Sequence, residues 1–238
     1  MIDKIYYFIM VPMVYLAFAV FFLGILVRLI RLMVAPKQTT TLQIFPEKKP
    51  AWLYSLADAF FLPTIGKHKP LLWVFLMLYH VAFLLLIIGH LELIWDIKLL
   101  QVIPHKIFLG KGLIALTLTI CLVFFLFRRF KSPYREISVT EDFFLLILLI
   151  FTVLFGGHMN WAYHWSEYGF DLSVTEFREY LSSMVKFKPA LPSAITGSPH
   201  YIILVLHVLF ANLFLIFFPF SKIMHSFFTI PLNKIRRG

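Results

Sequence analysis

Five long apolar stretches constrain this chain more than any other feature. They run over about Ile5–Val27, Leu71–Trp95, Ile107–Phe127, Phe143–Met159 and Tyr201–Met224. A helix needs about 20 such residues to cross the hydrocarbon core of a bilayer. Lys111 interrupts the third stretch and the fourth is short, but charged loops bracket both. With 61% hydrophobic residues against roughly 45–50% in soluble domains, the expected fold class is an all-α membrane protein of five transmembrane helices.

The first stretch follows only Met1–Lys4, lacks a small-residue cleavage site and exceeds a signal-peptide core. It is read as a retained anchor, bent at Pro12. In 238 residues there is room for one membrane domain, 1–238, and none for a separate soluble catalytic domain. The lone cysteine, Cys121, excludes a disulfide framework, a CxxCH haem attachment and a cysteine-held iron–sulfur cluster.

Basic residues near span ends determine which loops stay cytoplasmic. The first loop carries Arg28, Arg31, Lys37, Lys48, Lys49, Lys67 and Lys69; the third carries Arg128, Arg129, Lys131 and Arg135; the tail carries Lys234, Arg236 and Arg237. The long loop after the fourth stretch offsets its bases with Glu167, Asp171, Glu176 and Glu179. The N-terminus is therefore expected outside and the C-terminus in the cytoplasm. The formal charge of +10 reads as a topology signal, with no nucleic-acid partner. Trp52, Leu53, Tyr54, Phe60 and Phe61 in the Pro36–Pro70 loop suit an interfacial segment or a contact surface.

Two capping boxes mark helix starts: Ser138 with Glu141 before the fourth span, and Ser173 with Glu176 before a short outer helix. In that helix Val174, Phe177, Tyr180, Leu181 and Met184 form an apolar stripe expected to rest on the outer membrane surface.

The chemistry lies in histidines. His80 and His90 share the second span, and His207 and His225 share the fifth. An imidazole in hydrocarbon has lost its water and needs a partner. Ten residues place His90 about 80° around and ~15 Å along from His80, whereas eighteen return His225 to the face of His207 about 27 Å away. Because the two spans run in opposite directions, His80 and His225 share the cytoplasmic half while His90 and His207 share the outer half. Each level then has one ligand from each helix, as a bis-histidine haem requires. The unequal rises demand a bend or a tilt; Pro219 between His207 and His225 is the candidate for a bend, with His225 beyond it near the membrane surface as the alternative.

The competing reading is an intramembrane-histidine transporter for a metal ion or protons. A metal ion would want carboxylates nearby, and the candidates, Glu92 and Asp96, look interfacial. His158 and His164 flank Trp161 and suit an aromatic belt. His105, close to the outer level, could receive protons.

The segment from His207 to His225, ending Pro219-Phe-Ser-Lys-Ile-Met-His225, resembles the final span of the gamma, cytochrome b subunit family of respiratory nitrate reductases. Gly89-His90, the Arg128-Arg129 pair, Arg135, Ser138 and Asp142 also resemble family positions. The Ser-Lys-Ile-Met-His ending and the Phe187-Lys-Pro stretch look slightly more like the related membrane subunits of heterodisulfide-reductase-like and sulfite-reduction-associated complexes. The resemblance implies a multi-pass subunit in a bacterial or archaeal cytoplasmic membrane, carrying two b haems: His80 with His225 for the inner, His90 with His207 for the outer. It implies quinol oxidation near the outer haem and electron transfer to a cytoplasmic iron–sulfur subunit of the nitrate reductase beta or HdrD type, within a complex of further subunits. In the family a lysine in the loop after the second span contacts quinol; Lys106 and Lys111 stand near that place. Gly89, His105, Lys106 and Lys111 are thus the candidate quinone residues. The chain is expected to be the electron-transfer subunit of a quinol-linked oxidoreductase, without a complete active site for the terminal substrate.

Overall fold

The computed structural model describes residues 1–34, 50–94, 112–165, 174–225 and 227–229, and among them there are helices and turns but no strands. The helices are α1 (Ile2–Met10), α2 (Pro12–Val34), α3 (Ala51–Phe61), α4 (Pro63–His68), α5 (Pro70–Ile94), α6 (Leu113–Arg129), α7 (Thr140–Trp165), α8 (Val174–Val185), α9 (Ser193–Thr196) and α10 (Tyr201–Phe217). Four helical stretches are long and apolar enough to cross a membrane: Ile2–Val34, Pro70–Ile94, Thr140–Met159 and Tyr201–Phe220. They coincide with the first, second, fourth and fifth expected spans. The third coincides with α6, whose 17 residues rise about 26 Å, short of the ~30 Å core. Residues 107–111 of that expected span lie outside the described residues. Phe22, Leu84 and Ile120 stand exposed on these helices, as side chains do where the surrounding medium is hydrocarbon rather than water.

The described chain divides into two compact units. The first comprises Met1–Ala17 and Leu78–Phe214. Its core gathers Met10, Val11, Tyr180, Met184, Ile195 and Val205. Proline has no N–H to continue a helix ladder, so the N-terminal span breaks between α1 and α2 at Val11, as the sequence suggested. Freed carbonyls in an apolar surround need donors from neighbouring elements. Asn212 Nδ2 donates to the Ile9 carbonyl at 3.0 Å, and the Tyr180 hydroxyl donates to the Met10 carbonyl. Burial, with Tyr201 and Tyr15 nearby, pushes the Tyr180 phenol well above its usual pKa, which keeps that donor protonated. Tyr15 returns a bond to the Met184 carbonyl at 2.9 Å.

This arrangement corrects one expectation. The stripe of α8 does not rest on lipid along its length, because Tyr180 and Met184 are buried against α1 and α10. An amphipathic pattern reports that one face is apolar, not what covers it. Ser173, the expected cap of α8, lies outside the described residues, and Glu176 occupies its first turn.

In the same unit α6 and α7 form a helical hairpin whose turn is pinned by charge. Arg129 Nη1 meets Asp142 Oδ2 at 3.0 Å, and the Asp142 side chain is only 6% exposed. The cap of α7 is shifted by one residue from the expected box. Asp142, not Glu141, reaches back to accept the Val139 N–H at 3.1 Å, while the Ser138 hydroxyl turns to the Tyr134 carbonyl and receives Arg129.

The second unit comprises Phe18–Met77 and Leu215–Gly238. Here Trp73 Nε1 donates to the Phe61 carbonyl at 2.6 Å and its ring covers Gly66, folding α4 back on the start of α5. Phe21 meets Phe218 with ring centres 5.1 Å apart. Pro219 lies so close to Gly24 that a Cβ there would be 2.5 Å from the proline Cβ. The expected bend is a full interruption: α10 ends at Phe217, and two 3-10 turns, Phe218–Phe220 and Lys222–Met224, carry the chain to His225.

Candidate functional site

Within the first unit, α5 carries His90 near its C-terminal end and α10 carries His207 in its second turn. Their ring centres lie 6.3 Å apart and their planes differ by 28°. The Nδ1 of His90 sits 2.8 Å from the Leu86 carbonyl oxygen, and the Nδ1 of His207 sits 2.9 Å from the Thr152 carbonyl oxygen. A carbonyl can only accept, so each Nδ1 carries the proton and each Nε2 presents a lone pair. This is how a metal-binding histidine is held by its surroundings.

The spacing tests what could lie between the rings. A metal bound at roughly 2 Å by two opposed imidazole nitrogens requires ring centres roughly 6 Å apart. A bare zinc ion takes three or four protein ligands, whereas iron in a macrocycle takes two axial ones. The donor set of His90 and His207, two imidazoles with ring centres 6.3 Å apart, fits an axially held haem.

The expected outer pair is thus brought together. His80 lies in the first unit, where the adjacent Tyr79 ring meets it edge-on with centres 5.4 Å apart and ties this turn of α5 to Phe125 of α6. His225 lies in the second unit, and its Nδ1 donates to the Lys222 carbonyl at 3.0 Å. Gly89 is buried on α5. The other candidate quinone residues, His105, Lys106 and Lys111, lie outside the described residues, as does Asp96.

Three features were not read from the sequence. Thr152 contributes its backbone carbonyl, which no motif announces. Gly156, one turn on, lies against the His207 ring, and a Cβ there would be 2.8 Å from the ring Cε1; the Gly156-Gly157 pair inside an apolar span was the available signal. Glu92 is 4% exposed, so it is buried rather than interfacial, and Arg178 of α8 donates to its carbonyl at 3.2 Å. That bond links α8 to the turn of α5 that follows His90.

Fold and site together define a multi-helix membrane protein with an intramembrane histidine pair. Residues 67–238 match the family described as the nitrate reductase gamma subunit, and the chain belongs to that family. It is also similar to two archaeal proteins named Hdr-like menaquinol oxidoreductase cytochrome b-like subunit. The protein from Archaeoglobus fulgidus is 29% identical over 170 residues, covering 65% of this chain and 47% of the relative. The one from Archaeoglobus profundus is 27% identical over 167 residues, covering 65% and 46%. This chain spans about half the length of the curated relatives it matches.

Proposed function

We propose that this chain is the dihaem cytochrome b subunit of a respiratory oxidoreductase, linking the quinone pool on the outer side of a bacterial or archaeal cytoplasmic membrane to a cytoplasmic iron–sulfur partner. The observation that carries this reading is the His90–His207 pair: two near-parallel imidazoles, each with Nδ1 committed to a carbonyl, at the separation two axial ligands need. The menaquinol oxidoreductase named in both relatives supports a quinol as donor. Five spans, with the N-terminus outside, follow from the apolar stretches and the distribution of bases.

His90 and His207 would hold an outer haem b, and His80 with His225 an inner one. When bound, such groups supply one-electron transfer at a potential tuned by ligands and burial. Gly89 leaves the backbone beside His90 open to a flat quinol ring. The Nζ of Lys106 or Lys111 would hydrogen-bond a quinol oxygen, and a ring nitrogen of His105 would take its proton on the outer side. Arg128, Arg129 and Arg135, on the cytoplasmic side by the same topology, would face an iron–sulfur subunit of the nitrate reductase beta or HdrD type.

The test is a reduced-minus-oxidised optical spectrum of the purified chain, with pyridine haemochrome analysis and reduction by a menaquinol analogue. The expected outcome is two haem b per chain and quinol-driven reduction. Colourless protein that binds zinc would overturn the reading in favour of transport.

A further inference from the structure

We infer that α7, which supplies no axial ligand, sets the orientation and donor strength of His207, and that Gly156 is a positioning residue for the outer metal site. This rests on the haem reading above. The ring of His207 is tethered at one nitrogen: Nδ1 donates to the Thr152 carbonyl at 2.9 Å, and the ring centre lies 6.3 Å from that of His90. A ring tethered at Nδ1 cannot rotate aside without giving up that bond. It passes directly over residue 156, where a Cβ would be 2.8 Å from Cε1 and 3.0 Å from Nδ1. Only glycine leaves that path open.

The Thr152 carbonyl is also the acceptor that the helix ladder assigns to the Gly156 N–H, so its second lone pair serves the histidine. The Thr152 hydroxyl is engaged with the Leu148 carbonyl at 2.9 Å, which leaves the backbone oxygen alone in this role. Aromatic rings keep α7 and α10 in register. Phe210, one turn from His207, stacks on Phe151 with centres 5.0 Å apart and on Phe155 at 5.6 Å. His90 differs, since its Nδ1 bonds within its own helix.

A carbonyl accepting from Nδ1–H makes the other ring nitrogen a stronger donor and favours oxidised iron. Weakening that bond should therefore raise the potential of the outer haem and leave the inner one in place. The experiment is a potentiometric titration with low-temperature EPR on purified wild type, Gly156→Ala, Phe210→Leu and Leu148→Ala, the outer haem being identified as the one lost in His90→Ala. Gly156→Ala should raise the outer midpoint potential and shift its g values. Phe210→Leu, which loosens the register without adding bulk, should move the same potential the same way by less. Leu148→Ala removes a buried contact of the same helix and should lower thermal stability without moving the potential. Unchanged potentials in both Gly156→Ala and Phe210→Leu, equal shifts of both haems, or the same outer shift in Leu148→Ala would overturn the inference alone. Wild-type protein without haem would overturn the haem reading with it.

Discussion

The two histidines of the last helical stretch are held in opposite ways. His207 sits inside a regular helix, and its ring is fixed by a carbonyl 55 residues earlier in the chain. His225 sits beyond the end of that helix, on two 3-10 turns, and its ring is fixed by a carbonyl three residues earlier. Between them, Ser221 takes an extended conformation with φ −98 and ψ 168, and its side chain accepts the Ile223 N–H. Both arrangements leave Nδ1 with an acceptor, which is what the proposed axial role of Nε2 requires. The first does so through helix packing, the second through local backbone. Changes in packing should therefore be felt at the outer level and changes in backbone at the inner.

The largest test of that division is loss of ligands. His90→Ala and His207→Ala should remove one and the same haem, and His80→Ala and His225→Ala the other, each halving the haem-to-protein ratio. If His80→Ala and His207→Ala gave the same spectral loss, the division would collapse.

Backbone changes come next. Pro219→Ala removes the obstacle to continuing α10, and Gly24→Val drives a side chain into Pro219. Both should displace His225 and cost or shift the inner haem, with the outer spectrum unchanged. An altered outer haem with an intact inner one would show that the two levels are not separately held.

Smaller effects are expected at the quinol site. At least one of His105→Ala, Lys106→Ala and Lys111→Ala should slow quinol-driven haem reduction with both haems retained. Wild-type rates in all three would send the search for the quinol site to the inner level.

The smallest effects concern the broken N-terminal span. Tyr180→Phe and Asn212→Ala each leave a buried carbonyl without its donor, which costs about 1–3 kcal/mol. Thermal unfolding of the detergent-purified protein should register the loss, and both haem spectra should stay the same. A change in either spectrum would mean that this cluster bears on ligand placement after all.

Much of this was legible in the linear chain because it depends on local pattern. Apolar length selects membrane helices, and four of the five expected stretches correspond to helices long enough to cross. Pro12 and Pro219 end the helix that precedes each of them, since the missing N–H that would continue its ladder is a property of the residue itself. His90 and His207, expected at one level from the order of the spans, do lie with ring centres 6.3 Å apart. Charge patterning gave an orientation that is carried as a proposal, as is the partnership of His80 and His225. Tertiary packing decided the rest. It turned the apolar stripe of α8 onto protein, buried Glu92, and placed the cap of α7 on Asp142, which also meets Arg129 at 3.0 Å. It also chose Thr152 and Gly156 as the hold on His207. A backbone carbonyl is the same in every residue and a glycine is defined by what it lacks, so neither reveals its use until a second helix lies against it.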